Sequence, residues 1–231
     1  MRVVVTRPKV DSERTAAALR SLGHDVLVTP LLSVQPIQAE LSGEWGAVAI
    51  TSPNALYALA GDLARSSLLK LPLFAVGTRS AEAARQAGFI DVLSADGNAD
   101  DLVRLIASRY ARSARPLLYL AGEDRSTDLV SQLAALGVRA EMRIVYRAVA
   151  VPFPPELVKA IGEGQIDAVL HFSRRSAENY VRGAKTAGIL PAALAVRHFC
   201  LSRQVAEGLP GAERVLVAVR PSEAGLIELL A

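Results

Sequence analysis

This chain contains one pattern of strand, turn and helix written twice, and a second such pattern also written twice; no other feature narrows its possible folds so far. In the first pattern, Val3–Val5 is a short apolar run closed by Arg7-Pro8. A helical stretch follows from Asp11 to Leu22, with Ala16, Leu19 and Leu22 on one face and Gly23 as its stop. Val26–Val28 begins the next strand, closed by Pro30. The copy starts at the strand Leu117–Gly122. It continues through a helix from about Ser126 to Leu136, stopped by Gly137, into a strand through Ile144-Val145-Tyr146. The stretches Thr6–Gly23 and Leu120–Gly137 are equally long.

The second pattern runs Ala47–Ala55 and then Phe74–Glu82. Its copy runs Ala168–Ala177 and then Phe199–Glu207. In each, a strand enters a Ser- or Thr-containing turn and a helix, and the following strand does the same. A further strand and helix close each copy: Val92–Ser94 before Ala99–Ile106, and Val215–Val219 before Ser222–Leu230. Strands alternating with helices require parallel sheets with right-handed crossovers. The expected class is therefore α/β, with two small flavodoxin-like, doubly wound parallel sheets. The patterns come in the order first, second, first, second. Neighbours can pair, giving domains of about 1–112 and 113–231. Alternatively, the chain begins one domain, crosses near Leu31–Ile37, builds the other, and returns near Arg147–Pro155. Periodicity leaves both readings open.

Composition narrows the function classes. Only 5% of residues are aromatic against 51% hydrophobic, so the core must be built mainly from Ala, Val and Leu. A net charge of +3 is too weak to argue for nucleic acid, and basic runs interleaved with aromatics are absent. The excess permits an anionic small molecule. Cys200 is the single cysteine, in a strand-like setting that suits a buried, inert thiol. The apolar run in Met1–Pro8 is far too short for a signal peptide. No stretch approaches the roughly 18 apolar residues that span a membrane. A cytoplasmic protein is expected, with no membrane partner. A monomer is also expected, since no long apolar helix face is left over.

Four strand ends open onto small polar residues at a helix start: Thr51-Ser52-Pro53-Asn54, Gly77-Thr78-Arg79-Ser80, Ser173-Arg174-Arg175-Ser176 and Ser202-Arg203-Gln204. Ligands of open parallel sheets sit beyond the carboxyl ends of the strands, where helix N-termini offer unpaired N–H groups to anions. Any one of these hydroxyls taken alone is better explained as an N-cap. Four such turns on two repeated sheets point to a polyanion, with Arg7, Arg79, Arg174, Arg175 and Arg203 adding charge. The histidines His24, His171 and His198 make no metal-ligand pair at helical spacing; His24 reads as exposed and His171 as a core residue. Nucleophile-elbow, phosphate-loop and dinucleotide motifs are all missing, and no carboxylate pair stands out. Tyr146 is read as ending its strand, where a phenol can donate a proton or simply pack.

Several of these segments together resemble the uroporphyrinogen-III synthase family. They are the opening Val-Thr-Arg-Pro, Ile50-Thr51-Ser52-Pro53-Asn54-Ala55, Ala75-Val76-Gly77-Thr78, Val145-Tyr146-Arg147, Phe172-Ser173 and the closing strand–helix pair. The resemblance implies one domain made from both chain ends, 1–34 plus 150–231, and a central domain, 37–146. A two-stranded β-ladder would join them, with linkers at about 31–37 and 147–155 and the active site in the cleft between domains. It further implies cyclisation of hydroxymethylbilane, received from the upstream deaminase, to uroporphyrinogen III. Water is lost and ring D is inverted through a spiro intermediate. No cofactor and no metal are implied, because the substrate's own pyrroles supply the carbon nucleophile. Tyr146 matches a tyrosine that assists departure of the hydroxyl. Thr51, Ser52, Thr78, Ser173 and Ser202 match positions that hold the substrate's eight carboxylates; Arg7, Asn54, Gly77, Arg174, Ser176 and Arg203 are added as substrate-binding candidates beside them. The Ser173–Ser176 turn and the Leu201–Gln204 strand end depart from the family's usual residues. The alternative reading is a non-catalytic two-domain binder of an anionic small molecule.

Overall fold

The computed structural model describes residues 1–57, 59, 65–111, 113–125 and 127–230, the side chains of Val10 and Arg65 aside. The chain opens with β1 (Arg2–Val5), α1 (Lys9–Ser21), β2 (Asp25–Val28) and β3 (Leu32–Pro36). There follow β4 (Ala47–Ile50), α2 (Asn54–Tyr57), α3 (Arg65–Leu68), β5 (Leu73–Ala75), α4 (Thr78–Ala87), β6 (Val92–Ser94) and α5 (Ala99–Tyr110). Then come β7 (Leu117–Gly122), α6 (Leu129–Ala135), β8 (Ala140–Ala150), α7 (Pro155–Gly162), β9 (Ala168–His171), α8 (Arg174–Thr186) and α9 (Leu190–Ala195). The chain closes with β10 (Arg197–Cys200), α10 (Arg203–Ala206), β11 (Val215–Val217), α11 (Glu223–Ile227) and a 3-10 turn, Glu228–Leu230.

Two compact units emerge. One comprises Met1–Ser33 and Val149–Ala231, the other Val34–Ala148. The first contains a five-stranded sheet in the order β11-β10-β9-β1-β2, with every described pairing parallel. Val3, Val5, Leu170 and Phe199 face Ala16 and Leu19 of α1 and Leu226 of α11. Val4, Val169 and Cys200 face Leu157 and Ile161 of α7, Ala177 and Tyr180 of α8, and Ala193 of α9. A strand covered by helices on both faces must be apolar at successive residues, which is why β1 reads Val-Val-Val.

The second unit's sheet has the order β3-β8-β7-β4-β5-β6, and the described pairings among β4 to β8 are again parallel. Ala47, Ala49, Phe74, Leu117 and Tyr119 pack on Leu102 and Ile106 of α5 and Leu129 and Leu133 of α6. Val48, Ile50, Leu118 and Leu120 pack on Ala55, Leu68, Ala81 and Ala84. Both sheets are wound outward from a central pair of strands, β1 with β9 and β4 with β7. In each, the chain order reverses between those two strands, which makes that point the place for a ligand.

Gly23 and Gly137, the stops of the two copied helices, have φ of 82° and 76°, a region that costs other residues energy. Other details differ from the sequence-based expectation. Leu22, placed on the apolar face of α1, is 55% exposed because α1 ends at Ser21 and Leu22 turns outward as its C-cap. The copied helix begins at Leu129, with Asp128 accepting the Ser131 N–H as its cap; the expected start at Ser126 lies outside the described residues. Tyr146 does not end its strand. β8 runs on to Ala150, and a bulge falls at Val145-Tyr146, because Ala121 pairs with Ile144 while Gly122 pairs with Tyr146. Among the described residues no helix is long and apolar enough to cross a membrane.

Candidate functional site

In the second unit, the carboxyl ends of β4 and β7 and the bulge within β8 surround a cavity of about 310 Å³ lined by Thr51, Ser52, Tyr119, Gly122, Arg125 and Tyr146, among others. It lies at the reversal point between β4 and β7. Three local features build it. Tyr119 pairs with Ala49, two residues before Thr51, so both side chains project from one face of the sheet. The ring reaches along that face and sets its hydroxyl 3.0 Å from Thr51 Oγ1. The bulge in β8 directs Val145 and Tyr146 toward the same apolar cluster instead of opposite faces. Gly122 leaves room for the phenol: a Cβ there would lie 2.6 Å from Tyr146 Cζ and 2.8 Å from its hydroxyl.

Tyr119 is 2% exposed. Burial raises its pKa above the ordinary phenol value, the hydrogen bond with Thr51 acts against that, and nearby Tyr146 adds to it. The phenol therefore stays protonated and can only donate or accept a hydrogen bond. Ser52 Oγ accepts the Asn54 N–H at 3.2 Å, closing the turn after β4. At the next strand end Gly77 is the N-cap of the ten-residue α4; it is extended and has no side chain to cap with. Thr78, the first helical residue, is exposed.

The first unit's reversal point lies between the ends of β1 and β9. Arg7 stands there with its guanidinium 4.1 Å above the Phe172 ring, 3.2 Å from Glu223 and 3.8 Å from Asp11. Its side chain is 11% exposed, so it serves first as a buried tie between strand and helix ends. Burial acts to raise the Glu223 pKa. Hydrogen bonds from Thr15 and Arg14 and the charges of Arg7 and Arg14 outweigh it and hold the carboxyl below its ordinary value.

Ser173 caps α8 by accepting the Ser176 N–H at 3.1 Å, and its hydroxyl lies 2.9 Å from that of buried Ser176. Ser202 caps α10 through the Val205 N–H at 3.4 Å. Arg174 reaches Glu178 and Glu207 at 2.9 and 3.2 Å, and Arg203 is exposed beside Ser202. The first unit's Ser173 and Ser202 thus act as helix caps, whereas the second unit's Thr51 and Tyr146 line a cavity. Of the sequence candidates, the structure brings Thr51, Ser52 and Tyr146 into one cavity. Asn54, Gly77 and Thr78 lie on the turns beside it. Arg7, Ser173, Arg174, Ser176, Ser202 and Arg203 lie on the first unit's rim.

Sequence reasoning missed Tyr119, Gly122 and Arg125. Tyr119 is hidden in the run Leu-Leu-Tyr-Leu-Ala-Gly, where one polar atom on an apolar strand is the available signal. The remaining histidines are structural: His171 Nε2 and His198 Nδ1 are 3.1 Å apart on neighbouring strands, both rings fully buried. His24 is half-buried rather than exposed, with its Nδ1 3.5 Å from the amino terminus. Burial pushes the Cys200 thiol up to about 12, as an inert core cysteine requires.

A family model described as uroporphyrinogen-III synthase HemD matches residues 13–228. The fold is similar to uroporphyrinogen-III synthetase from Helicobacter pylori, with a TM-score of 0.69 and 18% identity over 100% of this chain and 98% of that one. It is also similar to a mutant uroporphyrinogen III synthase from the extremely thermophilic bacterium Thermus thermophilus, with a TM-score of 0.54 and 18% identity over 100% and 97% of the two chains. No curated protein matches it in sequence.

Proposed function

The chain belongs to the uroporphyrinogen-III synthase family, and from that premise we propose how its strand ends carry the family's ring closure. The reaction takes hydroxymethylbilane, a linear tetrapyrrole, to uroporphyrinogen III with loss of water and inversion of ring D. We place the reacting end of the substrate at the second unit's cavity. At about 310 Å³ the cavity is at the lower limit for a ligand site. That suits one pyrrole with its acidic side chains rather than a whole tetrapyrrole.

In this proposal Tyr146 donates its proton to the departing hydroxyl, leaving an azafulvene cation. The terminal pyrrole attacks that cation at its substituted carbon, and the spiro intermediate fragments and recombines inverted. Thr51, Ser52 and the N–H groups behind Gly77 and Thr78 hold carboxylates, beside Asn54. On the first unit, the Ser173–Ser176 and Ser202 turns are further candidate carboxylate sites by themselves, with Arg174 and Arg203 as their cationic neighbours. Arg7 is better suited to shaping that rim than to binding, since its guanidinium is already paired. Catalysis is then positioning and electrostatic control, with the substrate supplying the nucleophile. The proposal extends to a monomer acting in the cytoplasm on substrate received from the upstream deaminase.

The observation that carries this reading is the convergence of Tyr146, Thr51 and Tyr119 on one cavity at the reversal point of a parallel sheet. Tyr146→Phe tests it. Turnover of freshly made hydroxymethylbilane is expected to fall on the order of a hundredfold, with the circular dichroism spectrum and melting temperature unchanged. Undiminished turnover would leave Tyr146 a packing residue and overturn its role.

A further inference from the structure

We propose that Tyr119 is a positioning residue that fixes the direction of the Thr51 hydroxyl, so that Thr51 donates its proton to a substrate carboxylate. The inference rests on the proposed use of Thr51 as a carboxylate donor and adds a residue one step behind it.

A tyrosine is a costly choice for this place in the sheet. β7 lies between β4 and β8, and all six of its residues are buried. The Tyr119 ring packs in the apolar cluster formed with Phe74, Leu102 and Ile106. Phenylalanine would fill that space without a hydroxyl to satisfy, and a buried hydroxyl lacking a partner is destabilising. The partner found is Thr51 Oγ1, 3.0 Å away, and both residues line the cavity. The sheet register makes the pairing: Tyr119 lies opposite Ala49, and Thr51 is the next residue along the chain from β4 on that face.

Each hydroxyl has one proton and two lone pairs, so the direction of the bond matters. Either oxygen can be the donor at this geometry; in this proposal the phenol, the stronger acid of the two, donates to Thr51. Thr51 then spends a lone pair on Tyr119 and keeps its own proton for the cavity. A carboxylate placed there completes a chain from phenol to hydroxyl to anion, each link polarising the next. The final link, O–H to carboxylate, is of the strong charge-assisted kind. Without Tyr119 the threonine hydroxyl is free to rotate, and its proton is no longer directed.

The test is a two-residue cycle on the full chain: wild type, Tyr119→Phe, Thr51→Val and the double variant, each assayed for isomer III formation from hydroxymethylbilane. Tyr119→Phe is expected to raise KM about fivefold, the loss of one ordinary hydrogen bond, with kcat unchanged. In the Thr51→Val background the same change is expected to alter KM by less than about twofold, because the residue it acts through is gone. A role in packing alone would lower the melting temperature and change KM equally in both backgrounds, which overturns the proposal. An unchanged KM in Tyr119→Phe does so too. If Tyr119→Phe does not fold, Thr51→Val still decides: an unchanged KM there removes the donor and the inference with it. A wild type that forms isomer I alone overturns the functional reading as well, and is distinguishable because it needs no variant.

Discussion

At the scale of single residues, the site depends on what neighbouring strands allow. Gly122 matters for the space it leaves. Gly122→Ala would place a Cβ 2.6 Å from Tyr146 Cζ. The phenol lies at the flexible end of its side chain, so it moves and the fold survives. Turnover is expected to fall about tenfold with a melting temperature within a few degrees of wild type; unchanged turnover would show that the phenol's position is unimportant. The buried histidine pair makes a separate prediction about stability. Burial lowers the His198 pKa from 6.5 to about 4, and burial together with the neighbouring ring lowers that of His171 well below 6.5. Both are neutral in the folded chain, while the unfolded chain takes up protons first as pH falls through 6.5. Stability contributed by His198 is therefore present above that pH and is lost progressively from 6.5 down to about 4. A urea midpoint that falls across that window, with a shallower fall in His198→Gln, is expected; a flat midpoint would contradict it. None of these neighbours was legible from local sequence. Tyr119 and Thr51 are joined only by the register of parallel strands, and Arg7 and Glu223 only by the packing of α11 on the sheet.

At the scale of elements, helix caps and the bulge divide structural from chemical roles. Ser173 opens the thirteen-residue α8 and accepts a backbone N–H there. Ser173→Ala is expected to cost about 1 kcal/mol of stability, read as a lower urea midpoint, with turnover within about threefold of wild type because backbone N–H groups remain. A loss of several thousandfold would assign the hydroxyl itself to the chemistry. The repeated strands, the helices that follow them and the glycine stops were readable, since alternation of apolar runs with amphipathic stretches is a local signal and Gly23 and Gly137 are needed at positive φ; α3, α7 and α9 lie outside the repeated pattern and were not read. The bulge at Val145-Tyr146 was not. It is a mismatch between two strands, so the segment read as an ordinary strand end, and the phenol's direction followed only from the pairing of Gly122 with Tyr146.

At the scale of the whole molecule, the repeated sequence pattern is realised as two largely parallel sheets, each wound about a central strand pair. Each sheet carries turns at its reversal point, which is where a parallel sheet binds ligands. The second unit places hydroxyls and phenols there, and the first places capped helix ends and paired arginines. That distribution fits a reaction in which the protein orients a polyanion and times the loss of one hydroxyl. The measurement that bears most directly on this account is the isomer composition of the product. Freshly prepared hydroxymethylbilane is given to the purified chain with nothing else added, and the oxidised porphyrins are separated. The account predicts isomer III in large excess, formed faster than the spontaneous closure and saturably with substrate. Isomer I alone, at the rate seen without protein, would contradict it.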